Sequence, residues 1–413
     1  MKKITGIIFL FLIGAVAFGQ NVNDPDVTEN GKHLQLNTIT TAVPFLIITP
    51  DSRSGAMGDV GVALSPDANS FHWNTSKLVF SENKAEFSAS YSPWLRQLVD
   101  DIHLSYISGY SKIGKNHVIG GSLRYFSLGN ITFTDNIGNL VREFNPNEFE
   151  VLGGYAFKLS DRSAIGINAK FVYSNLTGGT NVGNVGSKAG VAGAVDLSYS
   201  WFNDEVSLGD KDATWSLATT LSNIGNKIAY TVDAERDFLP TNLRLGSALK
   251  VELDKYNSLT GSVDFNKLLV PTNPAYDGDG EIISGKDPDV GVVTGMLQSF
   301  YDAPGIVTFD ENGEAQVKNN SRFGEEIREI NFGIGAEYWY SDILAVRTGY
   351  FHEHFSKGNR RYLTFGAGVY FGVFGLDVSY LASVTQNNPL ANTVRFSLKF
   401  KFGNKDQNPA LEN

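Results

Sequence analysis

The chain has 413 residues, with 43 Gly, 28 Phe, 17 Tyr, no Cys and a formal net charge of -10. Without cysteine there is no disulfide framework, no thiolate metal site and no lipid-modified N-terminal cysteine. The aromatic and hydrophobic content is too high for a disordered chain, and the acidic balance argues against a nucleic-acid binder. Abundant Gly and aromatic residues, with no long apolar run after the N-terminus, are typical of an outer-membrane barrel.

Residues 1–19 have the pattern of a secretory signal peptide. Lys2 and Lys3 form the charged region, residues 7–16 form the apolar core, and a small-x-small cleavage site precedes Gln20. The alternative is a retained membrane anchor, but the apolar core is short and a polar stretch follows it at once. We therefore expect an exported protein that resides in the outer membrane of a Gram-negative bacterium.

Residues 20–80 do not alternate as membrane-spanning strands do. They contain a Gly-rich run over residues 52–63, and such glycines permit tight turns and close packing. A segment of this length is sufficient to fold into the lumen of a barrel as a hatch, or plug. The alternative is a periplasmic tail.

From residue 86 to residue 402 the chain falls into segments with period-two alternation. In the last segment one face is apolar (Val394, Phe396, Leu398, Phe400, Phe402) and the other is mostly charged (Arg395, Ser397, Lys399, Lys401). In a transmembrane barrel the apolar face meets lipid and the charged face meets the lumen. The predicted strands are 86–91, 101–112, 117–127, 148–159, 163–175, 188–201, 214–223, 241–253, 256–267, 329–340, 343–352, 361–371, 374–383 and 393–402.

The connections between these strands alternate between short and long, with 202–213 as the one exception among the short ones. Short periplasmic turns and long external loops are what a transmembrane barrel has, whereas a soluble sandwich has no reason for this parity. We predict an all-β fold: a transmembrane antiparallel β-barrel of about 14 strands with an N-terminal hatch in its lumen, followed by a periplasmic tail over residues 403–413.

The longest connection, residues 268–328, should form an extracellular loop insertion. Its segment 290–301 is compatible with a short helix, which places Met296, Phe300 and Tyr301 on candidate partner-binding elements. The acidic residues Asp277, Asp279 and Glu281 are candidates for the same surface. They also resemble part of a calcium-binding loop, but the full ligand spacing is absent, so an exposed acidic turn is the favoured reading.

The loop 353–360 adds His354 and Phe355 to the candidate partner-binding residues. His352 and His354 share one face of the chain, yet no third ligand is evident for a metal site. The sequence contains no nucleophile elbow and no phosphate-binding loop in a suitable context. We expect no enzymatic activity and no cofactor.

Residues 52–78 carry a resemblance to the FadL-type outer-membrane barrel superfamily, whose members hold an N-terminal hatch inside the barrel. The positions that match its hatch pattern are Arg53, Met57, Gly58, Gly61, Ala63, Asp67, Asn74 and Leu78. The chain departs from the pattern at Thr75 and Ser76, where Pro-Ala is usual.

Within that superfamily the chain is similar to the PorV (LptO) family of the type IX secretion system. The shared features are the run from Ser52 to Ala63, the segment from Ser65 to Ser70 with Trp73-Asn74, and the segment Tyr91-Ser92-Pro93-Trp94-Leu95. The resemblance implies a non-enzymatic outer-membrane component of protein secretion. Its implied partners are an SprA-type translocon barrel, the C-terminal signal domains of cargo, a PorU-type sortase with its attachment complex, and outer-membrane lipid.

A second reading from a different class is a FadL-like transporter that moves a hydrophobic small molecule across the outer membrane. A transporter needs an apolar cavity that reaches the outside and a path past the hatch. A cargo carrier needs ordered external loops. The candidate docking loops for the carrier are 128–147, 268–328, 353–360 and 384–392.

Overall fold

A computed structural model gives the fold of most of the chain. It describes residues 36–94, 101–134, 137, 139–179, 186–231, 236–277, 279–309, 315–384 and 390–403, and two short paired strands, Thr28–Glu29 and Lys32–His33. The predicted signal peptide and residues 404–413 of the predicted tail lie outside the described residues.

Fourteen antiparallel strands in the described part of the chain close into one barrel. In chain order, β1 to β14 are Ala85–Pro93, Ile102–Ile113, His117–Leu128, Asn147–Lys158, Ser163–Asn175, Gly190–Leu208, Lys211–Gly225, Asn242–Asp254, Asn257–Leu268, Ile330–Tyr340, Leu344–His352, Arg361–Phe371, Phe374–Ser383 and Thr393–Phe402. Each strand pairs with the next along the chain, and β14 pairs with β1 to close the sheet. The predicted fold class is confirmed.

The strands turn their apolar face outward and their polar face into the lumen. In β14, Phe396 and Leu398 are exposed on the outside, whereas Arg395, Ser397 and Lys399 are buried. Because side chains alternate across a strand, the same inversion recurs around the barrel and makes an apolar belt that suits lipid.

All the long connections lie at one end of the barrel, which we call the long-loop rim. They span 94–101, 129–146, 176–189, 226–241, 269–329, 353–360 and 384–392. The opposite end, the turn rim, has short turns at 114–116, 159–162, 209–210, 255–256, 341–343 and 372–373.

The prediction of a long connection over residues 202–213 was wrong. There β6 and β7 continue to Leu208 and from Lys211, with a register shift between Asn203 and Val206. The polar run at residues 203–205 interrupts the hydrophobic alternation, so the extension past the apolar belt has no period-two signal.

The N-terminal hatch fills the lumen with short helical turns. These are two 3₁₀ turns (Pro44–Ile47 and Thr75–Phe80) and two single-turn helices, α1 (Ser52–Gly55) and α2 (Ser70–Trp73). The side chain of Asp51 caps α1 by accepting the Ser54 N–H at 2.9 Å.

The hatch crosses the barrel from one rim to the other. At the long-loop rim, the Asn37 N–H donates to the Ser356 carbonyl at 3.0 Å. At the turn rim, the Lys84 N–H donates to the Phe402 carbonyl at 3.0 Å. The chain therefore runs down the lumen before it turns back into β1.

The long insertion after β9 has its own secondary structure. Helix α3 spans Val292–Gln298, inside the predicted segment 290–301, and α4 spans Ser321–Arg328. The insertion also contains two minor strand pairs, Ala275–Tyr276 with Ile282–Ser284 and Val307–Phe309 with Ala315–Val317. In other loops, Ile131–Thr134 pairs with Leu140–Phe144, and a 3₁₀ turn spans Phe355–Lys357. No helix among the described residues is long and apolar enough to span a membrane.

Glycines on the inner face of the barrel let the hatch backbone touch the wall. A Cβ on Gly349 of β11 would overlap the backbone of Met57 and Gly58 in the hatch. By contrast, a Cβ on Gly261 of β9 would meet no atom within 4 Å.

We predict that Gly349→Ala destabilises the protein by about 1–3 kcal/mol, because the added methyl group overpacks the hatch against the wall. The matched control is Gly261→Ala, where the new methyl group meets open space. The measurement is the temperature at which the folded barrel loses its fast mobility in a detergent gel. Equal transition temperatures for the two variants would show that this contact does not limit hatch packing.

Candidate functional site

A closed ring of alternating charges fixes the hatch to the barrel wall. Its members are Arg53, Glu337, Arg347, Asp377, Lys399 and Asp67. In that order, and back to Arg53, successive nitrogen–oxygen distances are 2.7, 2.7, 2.6, 3.3, 2.8 and 3.6 Å. The hatch supplies one cation and one anion, and the strands supply the rest.

The ring is buried, with no member's side chain more than 11 % exposed. Buried charges are stable only when each has a partner of opposite sign and good geometry. Arg53 achieves this with two bonds to Glu337, from Nε at 2.9 Å and from Nη2 at 2.7 Å. Since three positive and three negative groups alternate, the ring is neutral when all are ionised.

The remaining predicted hatch residues contact the wall through backbone and amide groups. Met57 is fully buried, and Gly58 has a φ of 71°, a left-handed conformation that favours glycine. The Gly61 N–H donates to Asp264 at 2.7 Å. The Asn74 amide donates to the carbonyls of Tyr199 and Thr219, at 3.0 and 3.1 Å.

The departure from the usual Pro-Ala pattern adds side-chain hydrogen bonds. The Thr75 hydroxyl donates to Asn168 of β5 at 2.8 Å, and the Ser76 hydroxyl donates to Ser200 of β6 at 2.9 Å. A polar lumen wall can accept bonds that a Pro-Ala pair cannot make.

Four of the lumen-facing cations show three kinds of contact. Lys399 pairs with the hatch carboxylate of Asp67, and Arg395 lies 3.6 Å from Asp59 of the hatch. Arg347 instead pairs with carboxylates of the barrel itself. Arg244 lies against the Trp73 ring, 4.9 Å from its centroid, and contacts the buried His72.

At the long-loop rim, a second ionic cluster orders the insertion, and we call it the rim clamp. It consists of Glu325 and Glu326 in α4, Glu329 just after it, Lys267 of β9 and Lys357 of loop 353–360. Glu329 lies between the two lysines, 2.6 Å from Lys267 and 3.0 Å from Lys357. Its side chain is fully buried. The clamp thus joins the insertion, a barrel strand and a second loop.

The rim clamp also contacts the upstream end of the hatch. The Asn37 side chain donates to Glu325 at 3.1 Å and to the Asn273 carbonyl at 3.0 Å. Glu325 in turn accepts the Gly305 N–H at 2.7 Å. Hatch and insertion are therefore bonded to the same glutamate.

Loop 353–360 is fixed by one bidentate ion pair. Arg360 donates to Glu353 from Nε at 2.8 Å and from Nη2 at 2.7 Å. His354 accepts the Ser356 N–H at 3.3 Å, and its ring packs on Phe355 at 4.4 Å between centroids. Burial lowers the pKa of His354 to about 4, so the neutral ring that caps this turn is the stable form near neutral pH.

The acidic candidates in the insertion form a turn. Asp277 accepts the backbone N–H groups of Asp279 and Glu281, at 3.0 and 2.8 Å. One carboxylate of the trio is thus engaged with the backbone. Among the described residues no group of three His, Cys, Asp or Glu side chains is arranged to hold a metal ion.

The apolar candidates lie on and just after α3. Phe300 and Tyr301 are 48 % and 59 % exposed, and Met296 is half-buried. Val293 and Leu297 are 68 % and 63 % exposed on the same helix. Large apolar groups clustered on a surface commonly mark an interaction site.

Sequence reasoning missed α4 and the rim clamp. The signal was nonetheless present: Phe323, Ile327 and Ile330 recur at helical spacing, on the side opposite Glu325 and Glu329. Lys267 and Lys357 could not have been paired with them, since their proximity depends on the closed barrel.

Together these features define a class of protein: an outer-membrane β-barrel with an N-terminal plug in its lumen and an ordered surface on one rim. The sequence model of a family described as "Type IX secretion system protein PorV" matches residues 31–275, more than half of the chain. The chain belongs to the PorV family, and the protein is an outer-membrane component of type IX secretion. The resemblance found in the hatch sequence is confirmed.

Solved structures similar in outline include toluene transporters. TbuX of Ralstonia pickettii is 13 % identical, with a TM-score of 0.45 over 87 % of this chain and 99 % of its own. TodX of P. putida is 11 % identical, with a TM-score of 0.46 over 86 % and 98 %. A FadL homologue of Pseudomonas aeruginosa is 11 % identical, with a TM-score of 0.41 over 89 % and 100 %. No curated protein matches the chain.

We predict that Glu337→Gln destabilises the hatch–barrel contact by about 3–5 kcal/mol, because it leaves Arg53 and Arg347 with an uncompensated buried charge. Lys250→Gln is the matched control, since its ion pair with Glu252 is 40 % and 48 % exposed and should contribute below about 1 kcal/mol. Thermal unfolding in detergent measures both. A Glu337→Gln transition as high as that of Lys250→Gln would contradict a structural role for the ring.

We predict a pH dependence around Asp302, which accepts the Thr272 N–H at 3.1 Å beside the rim clamp. Burial, with Glu329 and Glu326 nearby, raises its pKa from 3.8 to about 6. The folded state therefore favours the protonated acid, and this contribution to stability is full below about pH 4 and lost as the pH rises through 6.

Asp302→Asn should remove this dependence, because the amide can still accept the Thr272 bond but does not ionise. The measurement is hydrogen exchange over residues 299–306 between pH 4 and 7, corrected for the intrinsic exchange rate. Asp279→Asn, an exposed acid of the same insertion, is the control and should keep the parent profile. An unchanged profile for Asp302→Asn would assign the dependence to another group.

Proposed function

We propose that the protein receives cargo at the cell surface. It binds the C-terminal signal domain of cargo that leaves an SprA-type translocon and delivers that cargo to an attachment complex with a PorU-type sortase. In this proposal the signal peptide 1–19 is cleaved, the insertion is extracellular, the 403–413 tail is periplasmic, and the barrel serves as an anchor in outer-membrane lipid.

The observation that carries the proposal is the order of the long-loop rim. The rim clamp joins α4, β9 and loop 353–360 through five charged side chains, so the C-terminal end of the insertion is fixed to the barrel and to a second loop. Holding a surface in one conformation reduces the entropy lost when a partner binds. Short turns belong on the periplasmic side of such barrels, which supports an outward-facing long-loop rim.

The apolar residues around α3 are the proposed contact patch. Val293, Leu297, Phe300 and Tyr301 are all exposed, and aromatic anchors of this kind commonly dominate binding energies. Lys286 lies 4.0 Å from the Tyr301 ring centroid and restricts that side chain. An ordered aromatic side chain loses less entropy on binding.

The second candidate, a transporter of a hydrophobic small molecule, is favoured by one feature. A cavity of about 20 Å³, room for about one water molecule, lies between hatch and wall, and its lining is largely apolar, with Leu64, Phe80, Trp201 and Phe202. Extraction of the protein without heating separates the two candidates. Co-purified cargo domains or translocon support the carrier, whereas bound fatty acid without a protein partner supports the transporter.

We predict that the double substitution of Phe300 and Tyr301 by serine weakens binding of a purified cargo signal domain by at least about tenfold, as loss of two hot-spot side chains does. The protein is held in lipid nanodiscs, and binding is measured by titration. The control is Leu208→Ser, an apolar residue 57 % exposed beside the turn rim. Equal affinities for the double variant and the control would rule out this patch.

A further inference from the structure

The upstream end of the hatch lies at the long-loop rim. Asn37 is bonded to Ser356 and Glu325, and the Ala42 N–H donates to the Phe238 carbonyl at 2.9 Å. All three partners belong to long connections. The hatch then descends to Lys84 at the turn rim, so its upstream end and β1 lie at opposite ends of the barrel.

Residues 36–41 at that exit have the character of an extended strand. Their exposure alternates along the chain, with Leu36, Thr38 and Thr40 exposed and the residues between them half-buried. Period-two alternation is the pattern of extended backbone. Four of the six are Thr or Ile, whose branched side chains favour strands.

The backbone of this segment is largely unpaired within the described structure. The Asn37 N–H donates to Ser356, and the Thr38 carbonyl is 3.5 Å from the Asn273 amide. The backbone groups of Ile39, Thr40 and Thr41 form no hydrogen bond with any described residue. A row of unpaired N–H and C=O groups is a template for a further strand.

We propose that residues 36–41 are an open strand on the long-loop rim that accepts an added β-strand from a partner. The choice of partner rests on the proposed function: it is the cargo signal domain, which in this proposal pairs one edge strand with the open backbone of residues 36–41. Lipid does not fit, because acyl chains cannot satisfy backbone hydrogen bonds. A strand can satisfy them while its side chains contact the neighbouring insertion.

The first test determines which rim carries this segment. The chain has no cysteine, so single cysteines can be introduced without background: Leu36→Cys (67 % exposed), Glu281→Cys in the insertion and Glu82→Cys near the turn rim. Intact cells are treated with a membrane-impermeant maleimide. We expect Leu36→Cys to label with Glu281→Cys and not with Glu82→Cys. Labelling of Leu36→Cys only together with Glu82→Cys would overturn the inference, as would protection of Leu36→Cys from the reagent on both sides.

This comparison is independent of the proposed function. If Leu36→Cys and Glu281→Cys are both protected in intact cells and both label with the reagent on the inner side, the hatch path holds. In that case the long-loop rim faces the periplasm, and the proposed function is wrong.

The second test concerns strand addition. Thr40→Pro removes a backbone N–H and opposes strand pairing, whereas Thr40→Val keeps the N–H and the branched shape. We expect Thr40→Pro to weaken binding of the purified signal domain at least about tenfold and Thr40→Val to bind as the parent does. Both variants are first checked for the parent's thermal transition.

The outcomes separate the two proposals. If the parent and Thr40→Pro bind the domain equally, strand addition at this site is wrong and the proposed function stands. Equal loss in both variants also overturns it, since the side chain and not the backbone would then matter. If the parent chain does not bind the domain, the proposed function and this choice of partner both fail.

Discussion

The structure depends most on the burial of charge inside a membrane protein. Six ionised side chains lie in the lumen, and removing them from water is unfavourable unless their charges compensate one another. Alternation of sign around a closed ring meets this requirement, but only if Arg53 and Asp67 of the hatch stand between wall residues. The hatch thus neutralises buried charges of the barrel wall as well as occupying the lumen.

Compensation of buried charges also operates at the long-loop rim, where it fixes the positions of loops. Glu325 lies in α4 and Glu329 four residues later, just after the helix, so both side chains reach lysines from other elements. Asn37 joins this cluster from the hatch. The lumen and the long-loop rim are therefore connected by hydrogen bonds of Asn37.

The strands could be predicted from the sequence because lipid outside and polar groups inside impose a strict alternation, which the run from Val394 to Phe402 shows clearly. Where the chain leaves the apolar belt the constraint ends, and residues 203–208 were missed for that reason. Arg53 and Asp67 could be recognised as hatch residues, whereas their particular partners, Glu337 for Arg53 and Lys399 for Asp67, could not. Those pairings join positions hundreds of residues apart, and only the registers of β10 to β14 bring them together.

The strand that closes the barrel also completes the charge ring, and this restricts the order of assembly. Lys399 lies on β14, which pairs with β1, and its ammonium group bonds to Asp67 of the hatch. If the sheet closed first, the hatch would have to be threaded through a lumen lined with unpaired charges, which is unfavourable. The hatch must lie in place while the sheet is still open, so the final strand pairing seals the wall and captures the plug in one step. We therefore expect assembly of this protein to pass through a partly open intermediate that already contains its N-terminal segment.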